Sequence, residues 1–122
     1  MLRGGKQPSY VLKNSFRKVS EILGISADRL RSYDEEGLCA PYRAGKGIKR
    51  LYSELDIEWL KDVRFVISKN KMNIYSFKLM LAVLSRLPDK NFKEIASKWT
   101  NDNIWSIFER MKCNPNFAKL AD

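Results

Sequence analysis

Apolar positions along the chain fall into blocks of helical period separated by short polar or glycine-bearing breaks. Phe16, Val19, Ile22 and Leu23 recur at three- and four-residue spacing and predict a first helix over about Ser15 to Leu23, with Arg17 and Lys18 outside the stripe. Gly24 supplies a permissive turn, and Ser26 is placed to cap a second helix over about Ala27 to Glu36 that turns Leu30 and Tyr33 inward. Gly37 ends it. Helix, glycine turn, helix and glycine stop describe a helix-turn-helix. From Cys39 to Tyr52 the helical period is lost. Two short extended arms flank Gly45-Lys46-Gly47, a β-hairpin whose tip needs the positive φ that glycine tolerates.

Helical period then returns. Ser53 caps a helix to about Ser68, with Asp56 in the capping-box position and a broad apolar face of Leu55, Trp59, Leu60, Val63, Phe65, Val66 and Ile67. Asn70-Lys71-Met72-Asn73 interrupts the pattern before a helix from about Ile74 to Leu84, in which Phe77, Leu81 and Leu84 keep core spacing. Beyond Pro88, the stripe Phe92, Ile95, Ala96, Trp99 is out of phase with the stripe Ile104, Ile107, Phe108, Met111. Two short helices broken at Thr100–Asn103 are predicted, the second ended by Pro115. The fold class is mainly α: a winged helix-turn-helix with a short β-hairpin wing, followed by a small C-terminal helical segment. The expected divisions are an N-terminal arm over 1–13, where Gly4-Gly5 and Pro8 precede any helical period, the winged helix-turn-helix domain over 14–87, and the C-terminal segment over 88–122.

Charge turns this architecture into a functional expectation. The chain carries 23 Lys and Arg against 14 Asp and Glu, a net of +9 on 122 residues, and residues 1–52 hold 11 of the basic and 5 of the acidic groups. A positive field centred on a helix-turn-helix points to double-stranded DNA. Candidate contacts are Arg17 and Lys18 on the first helix, Ser26, Asp28, Arg29, Arg31 and Ser32 on the second, and Arg43, Lys46, Lys49, Arg50 and Tyr52 on the hairpin. Asp34-Glu35-Glu36 opposes both the helix dipole and phosphate, so these acids are expected to point away from DNA.

Other chemistry is poorly provided for. Histidine is absent, and Cys39 and Cys113 stand far apart without a Cys-x-x-Cys pair, so no metal site and no cofactor are expected. A glycine-rich phosphate loop and a nucleophile-base constellation are both missing, which argues against an enzyme. No apolar run reaches the roughly 18 residues of a membrane span, and the N-terminus lacks a signal-peptide core, so a cytoplasmic protein without membrane contact is expected.

Four ordered motifs carry a family resemblance. Leu30-Arg31-Ser32-Tyr33-Asp34-Glu35-Glu36-Gly37-Leu38, then Pro41-x-Arg43, then Arg50-Leu51-Tyr52-Ser53, then Asp56-Ile57 resemble the MerR family of winged helix-turn-helix transcriptional regulators over about residues 15–84. The resemblance implies a homodimer whose second helices enter the major groove and whose wings lie on the phosphate backbone. It implies a phosphate or groove contact from Arg31, wing phosphates held by Arg43 and Arg50, and a Tyr52 hydroxyl that contacts the backbone or a ring that buttresses the wing. Asp28 and Arg29 fall where such proteins read bases. Ser32 stands where the family has its first Tyr, the wing is one residue longer, and the long dimer helix and effector region are not recognisable after Leu87.

Dimerisation is expected instead through Phe92, Ile95, Trp99, Ile104, Ile107, Phe108 and Met111. The implied partners are double-stranded DNA, a second copy of the chain, and RNA polymerase at a promoter; activation by deforming the promoter and repression by occupancy are equally compatible. Two other readings remain at this stage. One is an excisionase-like architectural factor that bends DNA. The other is a protein-interaction adaptor that uses Trp99, Trp105 and Phe108.

Overall fold

Four helices each begin at a side chain that accepts a hydrogen bond from their own backbone, which satisfies one of the donors that a helix start leaves orphaned. Ser15 Oγ accepts from Lys18 at the head of α1 (Phe16–Leu23), and Ser26 Oγ accepts from Arg29 at the head of α2 (Ala27–Glu35). Ser53 does the same for α3 (Glu54–Lys69), and Asn73 for α4 (Ile74–Ser85). Asp56 Oδ2 returns the favour by accepting from the Ser53 N–H at 3.0 Å, so the shorter acid closes the capping box where Glu is usual. Gly24, at φ +67°, carries the turn between α1 and α2.

The computed structural model describes residues 14–46, 49–99 and 102–121, so the arm expected over 1–13 lies outside the described residues. Between α2 and α3 the chain forms the predicted hairpin, β2 (Tyr42–Ala44) and β3 (Lys49–Tyr52), with Arg43 opposite Arg50. At its tip Gly45 and Lys46 both take positive φ; Gly47 is outside the described residues. A third strand, β1 (Asn14–Ser15), adds antiparallel to β3, giving the order β1-β3-β2. Two polar residues offer no alternation to read, so this strand is invisible to a hydrophobic pattern. Tertiary pairing creates it, and Asn14 fixes it by donating to Glu54 Oε2 at 3.2 Å.

Val19, Leu30, Tyr33, Trp59, Leu60 and Phe77 are buried together, so one core backs the helix-turn-helix. Trp59 Nε1 donates to the Leu38 carbonyl at 2.6 Å, fastening the segment after α2 to α3. Two stripe residues depart from expectation: Ile22 and Phe65 are exposed, because α1 and α3 present only part of their apolar faces to each other. Among the described residues no helix is long and apolar enough to cross a membrane.

The C-terminal segment corrects the sequence reading most. It contains α5 (Asp89–Trp99) and α6 (Asp102–Lys112), as predicted, but Pro115 begins a further helix, α7 (Pro115–Ala121), instead of ending one. Proline suits a first helical position, where its missing N–H costs nothing. Helices α6 and α7 pack back on α3 and α4. Phe108 and Met111, assigned above to a dimer surface, are 1% and 0% exposed and belong to the same core as Trp59. They are therefore spent within one chain, and Phe108 is equally withdrawn from an adaptor surface. Ile95 and Ile107 pack partly buried against that core, while the side chains of Phe92, Trp99, Ile104 and Trp105 lie outside the described residues.

Polar bonds secure the same packing. Buried Asp62 accepts from Arg110 Nε at 3.0 Å and Nη2 at 2.5 Å, a bidentate pair between α3 and α6. Asn114 donates to the Leu55 carbonyl and Asn116 to Asp56 Oδ1, both at 3.1 Å. Truncating Phe108 to Ala should cost about 3–5 kcal/mol, as for other buried aromatic deletions. Urea unfolding should show one cooperative transition moved to lower midpoint; an early transition confined to the C-terminal helices would show that they do not share the core.

Candidate nucleic-acid interface

The basic surface of helix and hairpin is organised around Asp34, near the C-terminal end of α2. Its side chain is 10% exposed and its Oδ2 accepts from Arg43 Nη2 at 2.6 Å and Arg50 Nε at 2.5 Å, one guanidinium from each strand of the hairpin. Two cations on one carboxylate leave a net positive charge at the root of the wing. The arrangement also bolts the hairpin to the helix. Of the neighbouring acids, Glu36 meets Lys78 at 3.6 Å and accepts from the Tyr75 hydroxyl at 3.3 Å, both on α4, while Glu35 is exposed.

A ring lies beneath Arg50 and a second cation, Arg31 of α2. Arg50 and Arg31 place their guanidinium carbons 5.2 Å and 5.6 Å from the centroid of Phe16, within cation–π range. Arg31 also donates to Asp28 Oδ1 at 2.7 Å, across one turn of α2. Asp28 is almost wholly in water and Arg31 partly so, which makes this pair weak. Asp28 thus pairs with Arg31, and among the described residues Arg29 makes no ion pair. Ser26 and Arg29 are exposed and Ser32 is half-buried on α2, while Arg17 and Lys18 are exposed on α1; Arg17 makes only a solvated contact with Glu21 at 3.6 Å. Lys46 and Lys49 stand exposed on the hairpin.

Two cations of this surface escape a motif search. Arg64 on α3 and Lys71 in the α3–α4 turn line one cleft with Ser26 and Arg29, extending the basic surface beyond the N-terminus of α2. They sit some 40 residues further along the chain, in a segment read for its apolar face. Lys71 adopts φ +53°, a backbone state no charge pattern announces.

Tyr52 is placed differently from the rest. It is 1% exposed, under the wing instead of on it, and among the described residues its buried hydroxyl has no hydrogen-bond partner. Of the two roles implied for it, the geometry fits the buttress and leaves no path to a phosphate. Burial raises its pKa, helped by the nearby Cys39 and Asp34. Cys39 is buried too, and its thiol is pushed well up by desolvation and then by Asp56, so it is protonated and inert at neutral pH. Cys113 is exposed, and among the described residues no group of three or more potential metal ligands is brought together.

Comparison with known proteins places this geometry. The family model described as MerR HTH family regulatory protein matches residues 15–82, from the cap of α1 into α4. No curated protein matches the chain. Among solved structures, the chain is similar to HiNmlR, described as a MerR family regulator lacking the sensor domain and bound to promoter DNA. The two are 27% identical with a TM-score of 0.51, over 82% of this chain and 67% of that one. From the capped helix pair, the wing held to it by Asp34, and the family match over more than half its length, the chain belongs to the MerR family of helix-turn-helix DNA-binding regulators.

Proposed function

We propose that the protein is a sequence-specific transcriptional regulator that binds double-stranded DNA as a homodimer, with α2 in the major groove and the β2–β3 wing on the adjacent phosphate backbone. The observation that carries this reading is the Arg43–Asp34–Arg50 clamp, which makes helix and hairpin one body with a single docking geometry. On that body Arg29 and Asp28 face base edges. Arg31, Arg17, Lys18, Lys46 and Lys49 meet phosphates, with Ser26 and Ser32 as short polar contacts at the groove edge. The similar regulator was solved on promoter DNA, which supports a promoter site; RNA polymerase is the partner such a site would bring alongside. Because Phe108 and Met111 are used inside the monomer, the dimer contact falls to the remaining apolar surface of the C-terminal half. There α4 exposes Tyr75, Leu79 and Val83 at four-residue spacing.

Selection of bound fragments from random duplex DNA tests the whole reading. A palindromic consensus with two half-sites is the expected result, whereas tandem direct repeats would favour an architectural factor. On the selected duplex, Lys46→Ala and Lys49→Ala should each lower the slope of log affinity against log salt by about one. Unchanged slopes would remove the wing from the interface. Asp34→Asn separates clamp from charge. Simple electrostatics predicts tighter binding when a carboxylate is removed near a polyanion. Loss of the clamp instead predicts binding weaker by roughly 3- to 10-fold, with about 1–3 kcal/mol lost in urea unfolding. Tyr52→Phe should leave DNA affinity unchanged and stability equal or higher by up to about 1 kcal/mol, since it deletes a buried hydroxyl that is unpaired among the described residues. A clear loss of affinity would restore Tyr52 as a phosphate contact.

A further inference from the structure

We propose that Phe16 is a positioning residue for Arg31: its ring presets the Arg31 guanidinium on the recognition face while leaving that cation's charge available to DNA. The proposal rests on the reading of α2 as the helix that enters the groove. Phe16 is the first residue of α1, directly after the strand pair that joins Ser15 to Leu51, and its ring packs partly buried against the core. The ring is thereby held by the cap, the sheet and the core before any ligand arrives. Arg50 lies 5.2 Å from its centroid and Arg31 5.6 Å.

The two cations are used differently. Arg50 is only 17% exposed and its charge is taken up by Asp34, so it serves the fold. Arg31 is 43% exposed, and its sole ionic partner among the described residues is Asp28, whose side chain is 94% in water. A solvated pair of this kind exchanges readily for a phosphate. Without further restraint, a long Arg side chain would lose rotamer freedom on binding; one already resting on a fixed ring loses less. An aromatic face restrains a guanidinium without neutralising it, which a carboxylate cannot do. An aliphatic residue would fill the same core space beside Val19 yet offer no such face.

The test compares wild type, Phe16→Leu, Phe16→Tyr, Arg31→Ala and the Phe16→Leu/Arg31→Ala double variant on the selected duplex, with thermal unfolding of each. Phe16→Leu should weaken binding by roughly 2- to 5-fold, the range of a partly exposed cation–π contact. Phe16→Tyr should restore wild-type affinity. Within the Arg31→Ala background the Leu substitution should have no further effect, because the coupling belongs to the pair. The salt slope should fall by about one in Arg31→Ala and stay unchanged in Phe16→Leu. In the free protein, the ring-current shift of the Arg31 side-chain protons should vanish in Phe16→Leu and persist in Phe16→Tyr. An equal loss of affinity from Phe16→Leu in both backgrounds, or failure of Tyr to rescue, would reduce Phe16 to core packing and overturn the proposal. If Arg31→Ala left affinity and slope untouched while the ring-current shift was present, the reading of α2 would be what fails.

Discussion

A carboxylate shared between two guanidiniums is the constraint on which the rest of this molecule depends. Asp34 sits where helix α2 ends, and Arg43 and Arg50 face each other across the hairpin, so all three meet only when the wing has the correct register. A slip of one residue in that register would put the two arginines on opposite faces of the hairpin and leave Asp34, largely shielded from water, with at most one of them. The ion triad is therefore a check on register as well as a bond. It also explains an acidic residue in a surface meant for a polyanion: the acid aligns two cations and leaves one charge in excess.

Much of this was legible in the sequence. The starts of α2 and α3 followed from Ser26 and Ser53, whose side chains cap locally and need no tertiary knowledge. The hairpin followed from Gly45 and its neighbours, and the buried faces of α2 and α4 from the spacing of Leu30, Tyr33, Phe77, Leu81 and Leu84. Those features are written within a few residues of one another.

What stayed hidden depends on contacts distant along the chain. Asn14–Ser15 becomes a strand only because Leu51 and Tyr52 arrive beside it. Arg50 reads as a wing cation until Asp34 claims it, and Arg64 and Lys71 come beside Ser26 and Arg29 only through the fold of α3 and α4. The C-terminal stripes were visible as amphipathic helices, but amphipathicity says that a face will be covered and not by what. For Phe108 and Met111 the cover is this chain's own α3 and α4 region. Pro115, read as a helix end, opens α7 instead, since a proline can close one helix or open another.

The link between Asn116 and Asp56 has a consequence for how the tail communicates with the reading head. Asn116 donates to one oxygen of Asp56 while the other oxygen holds the N–H of Ser53, the residue that follows the last wing strand. A continuous line of hydrogen bonds thus runs from the start of the final helix to the foot of the wing. One carboxylate ties the seat of α7 to the foot of the hairpin, so the last helix and the wing share a single anchor point on α3.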